Sequence, residues 1–364
     1  MFYIGAMDGM DDTVARGVRL RGRGAAENAV GRFEGGARLA VDDGWGGDEE
    51  RPLRTEVRDE VARSALSYNK SPDLPFDRSI NPYRGCEHGC SYCFARPSHA
   101  FLNMSPGLDF ESRLIARPNI AQVLARELSA KSYRAAPIAI GTNTDPYQPI
   151  EHDYRLMPQI LDVLARARHP VAITTKGALI ARDAGVLGDM AAQNLCRVGI
   201  SITTLDPDLS RKLEPRAPSP AHRLATIAAL AAAGIPVRVM VAPVIPALTD
   251  YEMENILTAA RDAGAVAATY IALRLPREVS PLFQAWLARS VPGQAAKVMA
   301  RVRDMQGGQD YDPEFGRRMR GTGLWADLLA QRFARARAAL GMQYHLPPLD
   351  CSQFQPPLGQ MTLL

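Results

Sequence analysis

The chain has 364 residues, 46% of them hydrophobic, and 43 Lys and Arg against 39 Asp and Glu give a formal charge of +4. That length allows one large α/β domain or two ordinary ones, and the apolar content excludes general disorder. The charge is too mild to argue for nucleic acid by itself, and no stretch approaches the roughly 18 apolar residues of a membrane span.

Residues 1–70 are rich in Gly, Arg, Asp and Ala without sustained periodicity, and RLRGRGAAENAVGRFEGG predicts a flexible extension or an arm laid over a domain surface. MFYIGAMDGMDD lacks the basic start, apolar centre and cleavage site of a secretory signal, so a cytoplasmic protein is expected. From 71 to 290 short apolar runs recur: RSINPYR (78–84), PIAIGT (137–142), PVAITTKG (170–177), RVGISITT (197–204), PVRVMVAP (236–243) and ATYIALRL (268–275). Most are apolar on consecutive positions, which predicts strands buried on both faces. Between them lie helical patterns such as NIAQVLARELSAK and AHRLATIAALAAAG. Ser219-Pro220 predicts a capped start, Thr249 with Glu252 a capping box, and Gly234 and Gly264 helix ends. Six strand–helix units predict an α/β fold with parallel strands; six is short of the eight of a closed TIM barrel, and a partial barrel open along one side fits better than a flat doubly wound sheet. Residues 291–364 predict a helical C-terminal extension ending in a proline-rich tail.

Five cysteines, three of them in NPYRGCEHGCSYCFARPS, suggest a reducing compartment and a metal site rather than a disulfide framework. Cys86, Cys90 and Cys93 have Cys-x3-Cys-x2-Cys spacing, with Gly85 and Gly89 loosening the backbone. Thiolates are the usual ligands of iron–sulfur clusters, and three of them leave one iron of a cubane open for chemistry. Structural zinc is the rival, with His88, His99 or Cys196 as the fourth ligand, but no second Cys-x2-Cys pair exists. Tyr92 and Phe94 would cover the centre or simply pack.

The triad with its adjacent aromatic resembles the radical S-adenosylmethionine superfamily. Within it GTNTDPYQPIE, ITTKG, SITT, LEPRAPSPAHRL and VAPVIP, in order over residues 75–290, are similar to the spore photoproduct lyase (DNA repair photolyase-like) branch. The resemblance implies a (βα)6 partial TIM barrel, a 4Fe–4S cluster on Cys86, Cys90 and Cys93, and S-adenosylmethionine cleaved to a 5′-deoxyadenosyl radical. It also implies an electron donor such as flavodoxin or ferredoxin. For the cofactor it implies Thr142, Asn143 and Asp145 near the methionine amino group, Lys176 near the carboxylate, Ser201 near the ribose, and Val241 and Ala242 along the adenine. Each has a plainer alternative: a turn for Asp145, a solvated strand end for Lys176, a satisfied hydroxyl for Ser201. Arg216 or Arg223 would clamp cofactor or substrate, unless Glu214 and an arginine pair internally.

One feature departs from that branch. The lyases carry a cysteine near the end of the second strand, and none occurs here between Cys93 and Cys196. Cys351 is the candidate substitute, on a tail expected to fold over the barrel mouth; Cys196 reads as a buried structural thiol, and Tyr147 and Tyr154 as relays or packing residues. Arg317, Arg318, Arg320, Arg332, Arg335 and Arg337 beside Trp325 and Phe333 suggest either a nucleic-acid surface or the solvated face of an amphipathic helix. The substrate reading is accordingly nucleic acid, with a small metabolite or peptide, or a zinc-stabilised binding module, as alternatives.

Overall fold

The β-branched runs form strands, and their order defines the architecture. The structure, a computed structural model, describes residues 22–29, 32–33 and 53–357. The strands are β1 (Glu56–Asp59), β2 (Leu66–Tyr68), β3 (Arg78–Ile80), β4 (Tyr83–Arg84), β5 (Arg113–Ala116), β6 (Ile138–Ile140), β7 (Val171–Thr175), β8 (Cys196–Ser201), β9 (Val237–Val244) and β10 (Ala267–Ala272). Early helices are α1 (Asp109–Ser112), α2 (Ile120–Leu128), α3 (Glu151–Tyr154), α4 (Leu156–Arg166), α5 (Ala184–Ala192) and α6 (Pro207–Leu213). Then follow α7 (Pro220–Ala232), α8 (Met253–Asp262), α9 (Val279–Ser290), α10 (Pro292–Met305) and α11 (Gly323–Ala339).

The main sheet runs β10-β9-β8-β7-β6-β3-β2. Its six strands from β3 to β10 are parallel and lie in sequence order, with β2 antiparallel at the outer edge. A doubly wound sheet reverses its strand order at a switch point. This sheet does not, and it is the six-stranded partial barrel expected from the sequence. The run predicted as one first strand is split: Tyr83–Arg84 leaves the barrel and pairs with β5, which with β1 makes a second sheet.

Val171, Ile173, Val237, Val239 and Val241 point outward and are buried beneath the helices, with Ile227, Leu230, Ile256 and Leu257 in the same apolar cluster. Their neighbours Ala172, Thr174, Lys176, Arg238, Met240 and Ala242 keep solvent contact. The strands are therefore not buried alike on both faces: the outer face is packed, and the inner face lines a wetted hollow.

Ser219 caps α7 as predicted, accepting from the His222 N–H, and Gly234 and Gly264 take positive φ at helix ends. The capping box does not form. Thr249 Oγ1 accepts from the Ile245 N–H, and Glu252 accepts from Thr204 and the Leu205 N–H instead.

The extensions are more engaged than the sequence suggests. β1 and β2 lie within the segment expected to be flexible, and residues 22–29 dock on the cysteine loop. The proline-rich tail crosses the amino ends of the strands, not the barrel mouth. Gln343 bridges Ala267, Asp350 N–H donates to Asn194 O and Gln355 N–H to Ala167 O. Phe354 packs on His169 and Tyr133, completing this floor. Between β10 and the β2–β3 loop a strap closes the side: Ala272 N–H donates to Met319 O, while Arg318 binds Asp73 at 2.6 Å.

Candidate active site

The three cysteines lie in the loop after β3 and β4, at the carboxyl ends of the parallel strands, where βα folds place their chemistry. Cys86 and Cys90 are buried, Cys93 is partly exposed, and all three thiols are free. Cys93 packs on one side against Cys86 and Phe110 and on the other against the Cys90–Tyr92 cluster. Burial pushes all three thiols up, Cys90 to about 12. Thiols held this way stay protonated until a metal takes the proton's place.

The loop is held by backbone contacts that only certain residues permit. Gly85 and Gly89 take positive φ, and a Cβ on Gly89 would lie 2.6 Å from Glu111 Oε2. Arg96 is the central brace. Its guanidinium donates to Cys90 O at 2.8 and 3.1 Å, to Pro106 O and Gly107 O, and to the buried Glu111 carboxylate. Glu111 also accepts from Gly24 N–H at 2.9 Å and Ala25 N–H at 2.8 Å, which docks the RGRGA segment on the loop. From the other side Gln148 accepts from Glu87 N–H and donates to Gly85 O, and Arg216 pairs with Glu87 at 2.7 Å.

The strand ends complete the site. Asp145 accepts from Thr175 Oγ1 at 2.5 Å, Lys176 N–H at 2.7 Å and Tyr147 N–H at 2.9 Å, and lies 3.4 Å from His88 Nδ1. Burial raises its pKa, but His88 and these hydrogen bonds outweigh burial and hold the carboxyl at about 2. Glu214 is buried and pairs with Arg223, and it accepts from Tyr92 Oη and Thr203 Oγ1. Burial pushes Glu214 up, yet the Arg223 and Lys176 charges hold it at about 2. Arg223 further donates to Ser201 O and Pro218 O. Glu214 and Arg223 thus form the internal pair, and Arg216 serves the cysteine loop. Lys176 leans over the Tyr92 ring, its Nζ 5.7 Å from the centroid. Val241 is buried in β9, and Ala242 O accepts from Thr203 Oγ1 at 3.3 Å. Phe94 is exposed, with the Arg274 guanidinium 4.9 Å over its ring.

The structure therefore gathers Tyr92, Asp145, Lys176, Ser201, Glu214 and Arg223 around the triad. Among the described residues, the side chains of Thr142, Asn143 and Ser201 and the Lys176 ammonium make no hydrogen bond within the protein. Cys351 lies elsewhere, in the floor at the opposite end of the strands, with its Sγ 3.9 Å from Leu349 O. The expected tail over the mouth is absent because Asn194, Gln193 and Ala167 hold it beneath the barrel. Cys196, at the amino end of β8, is buried as expected. Tyr147 donates to Asp183 and Tyr154 to Asp59. Arg96 and Glu111 carry no motif that the sequence reading could have used, whereas Gln148 lies inside GTNTDPYQPIE.

Metal chemistry fits this donor set in one way. Among the described residues no group of three His, Cys, Asp or Glu is gathered closely enough for a single ion. Of the residues weighed as a fourth zinc ligand, Cys196 lies at the far end of its strand, His88 Nδ1 faces Asp145, and His99 bonds Arg113 O through Nε2 with its Nδ1 buried and unpartnered. A polynuclear cluster bridges thiolates that lie further apart than one ion allows, so three free thiols on one braced loop fit it. A cavity of about 470 Å³ lined by Tyr68, Arg78, Glu127 and Tyr133 lies at the amino-terminal rim, remote from these groups; its walls are a structural stack, with Arg78 over both tyrosine rings.

A six-stranded partial barrel with three free cysteines at the carboxyl ends of its strands defines a cluster-bearing barrel enzyme. The chain belongs to the Radical SAM superfamily, whose model matches residues 80–260. An uncharacterized protein of Mycobacterium tuberculosis is 41% identical over 264 residues, covering 71% of this chain and 76% of the relative. One of Methanocaldococcus jannaschii is 28% identical over 192 residues, 52% of this chain and 68% of that one. Among solved structures, a spore photoproduct lyase variant superposes with a TM-score of 0.57 at 14% identity, covering 79% of this chain and 82% of the other. A variant of the same lyase with bound AdoMet and dinucleoside spore photoproduct gives the same values. The fold is shared with these enzymes. The family's cofactors are a 4Fe–4S cluster and S-adenosylmethionine, and its chemistry requires an electron donor.

Proposed function

We propose that this enzyme takes a hydrogen atom from a nucleic-acid-type substrate held in the barrel, with Cys86, Cys90 and Cys93 ligating the cluster. When bound, the cluster supplies the electron that cleaves S-adenosylmethionine to methionine and a 5′-deoxyadenosyl radical. The observation carrying the reading is the set of polar groups left without internal partners at the mouth. Thr142, Asn143 and Ser201 offer hydroxyl and amide contacts, and Lys176 offers a positive charge to a carboxylate. Tyr92 and Phe94 flank the third cysteine, Tyr92 buried beside it and Phe94 exposed at the rim. Asp145, its carboxylate occupied by the Thr175–Lys176 turn, orients Lys176 in this reading. Glu214 and Arg223 act as positioning residues that hold Tyr92 and Ser201.

The substrate class is supported by the fold shared with a lyase whose structures hold a dinucleoside, and fold likeness is a weak guide to substrate. The tail arginines give it little help. Arg318 pairs with Asp73, Arg332 with Glu254 and Arg317 with Asp312, so much of that charge is neutralised within the chain. A flavodoxin- or ferredoxin-type protein is the proposed reductant.

Anaerobic reconstitution tests the chemistry. The wild type should bind about four irons and, with dithionite and S-adenosylmethionine, release 5′-deoxyadenosine; Cys90→Ala should release none. A colourless protein carrying one zinc would refute the reading. Deuterium carried from a labelled oligonucleotide into 5′-deoxyadenosine would establish the substrate class, and its transfer only from a peptide or metabolite pool would replace it.

A further inference from the structure

We propose that Arg197 and Arg238, deep in the barrel hollow, form an anion site that holds a phosphate group of the substrate. This deepens the proposed function and rests on the mouth being where hydrogen is taken.

Strand register puts the two arginines on one face. Arg197 is opposite Ala172, and Arg238 lies between Gly199 on β8 and Ala267 on β10. A Cβ on Gly199 would meet Met240 Sδ at 3.0 Å and Thr174 Oγ1 at 3.4 Å, so this is the inner face. Ala172, Gly199 and Ala267, the register partners of the two arginines, are small and offer no side-chain group that could pair with a guanidinium. Arg197 and Arg238 are diagonal neighbours across adjacent strands.

Neither guanidinium is neutralised. Among the described residues no carboxylate pairs with either, and Arg238 has one long contact, Nη2 to Tyr344 O at 3.4 Å. Arg238 Nε is buried without a partner, as is Thr269 Oγ1 on the neighbouring strand. Burial, and for Arg238 also the nearby Arg197 charge, lowers the pKa of both groups. Two other guanidiniums beside the barrel interior, Arg96 and Arg223, each meet a buried carboxylate, whereas Arg274 at the mouth lies over the Phe94 and Tyr311 rings. Two like charges half out of water are costly unless an anion completes them. A phosphate has the charge and the oxygens to accept forked hydrogen bonds from both.

The position also suits a substrate. Arg197 lies four residues below Ser201 on β8, about 13 Å along the strand. A nucleoside monophosphate spans such a distance, with its base or sugar at the mouth and its phosphate on the arginines. The phosphate belongs either to a free small molecule or to the end of a nucleic-acid strand.

Equilibrium dialysis of the cluster-loaded protein in phosphate-free, low-salt buffer tests the site, with inorganic phosphate and a nucleoside 5′-monophosphate as probes. Saturable binding is expected in the wild type, weakened about tenfold or more in Arg197→Gln and in Arg238→Gln. Arg238→Lys should regain part of the loss, and Arg335→Gln, on the exposed face of α11, should bind as wild type. An oligonucleotide with and without a 5′-phosphate separates a strand end from a free nucleotide. No saturable wild-type binding up to about 10 mM overturns the proposal, as does equal binding in both glutamine variants. Should the glutamine variants fail to melt cooperatively, the wild-type, Arg238→Lys and Arg335→Gln measurements decide: a lysine variant indistinguishable from wild type for a phosphate bound by fork geometry overturns the proposal. Release of 5′-deoxyadenosine by the wild type is scored separately, so a failure of the radical chemistry is not confused with a failure of this site.

Discussion

Replacing Glu111 by alanine isolates the brace beneath the cysteine loop. The carboxylate is buried against the Arg96 guanidinium and also accepts from the Gly24 and Ala25 N–H groups. Removing it leaves a buried charge and two backbone donors without partners, and breaking such a pair from one side costs about 3–5 kcal/mol. Unfolding entropy near 2.1 cal/mol/K per residue makes about 0.76 kcal/mol/K for this chain of 364 residues. Taken as one cooperative unit, the protein should therefore melt about 4–7 °C lower. Because Arg96 holds Cys90 O, the reconstituted variant should also retain less iron, which a second assay of bound iron and sulfide reads. Glu111→Gln keeps an acceptor for the arm but not the charge, and should fall between the two. A melting point within about 1 °C of wild type, together with full iron content, would refute the assignment of Arg96 and Glu111 as the loop's support.

Three further outcomes are expected. Gly24→Ala places a Cβ 1.8 Å from Gly89 O, so the arm should undock and protease sensitivity should appear near residues 22–29 while the barrel still melts cooperatively. His169 is buried and neutral, accepting from or donating to Tyr133 Oη at 2.7 Å, and burial lowers its pKa to about 4. A base with a lowered folded pKa contributes stability above its unfolded value near 6.5, and that contribution is lost as pH falls toward 4; denaturation of the wild type should show a loss on the order of 2–3 kcal/mol across that window, and His169→Asn should flatten it. Lys176→Met should raise the dissociation constant for S-adenosylmethionine about tenfold or more, measured with the reconstituted protein; an unchanged constant would remove Lys176 from the cofactor site.

The cysteine spacing and the six strands were legible because each is a local pattern: three thiols in eight residues, and runs of Val, Ile and Thr between helices. What escaped was mostly non-local. β1 reads EVRD and β2 reads LSY. Neither is long or apolar enough to announce itself, and each is a strand only because a neighbour supplies its hydrogen bonds. The expectation of strands packed on both faces failed at Thr174, Arg197 and Arg238, whose polar side chains were visible in the sequence and belong to the hollow. The tail has no periodicity, so nothing local said which end of the barrel it would cover, and Cys351 was assigned to the wrong end for that reason. Arg216 and Arg223 could not be told apart by residue type; only the fold shows that one braces the loop and the other meets Glu214.

The floor beneath the barrel also bears on how the molecule is made. Residues 343–357 leave the ribosome after every strand they underpin, and their partners Ala167, Asn194 and Ala267 are some 75 to 190 residues earlier. Contacts of that sequence separation form late and slow the search for the native state. During synthesis the sheet can assemble from neighbouring βα units while its amino-terminal end is still open. Arg238, whose Nη2 meets Tyr344 O in that segment, gains this contact only when the floor closes.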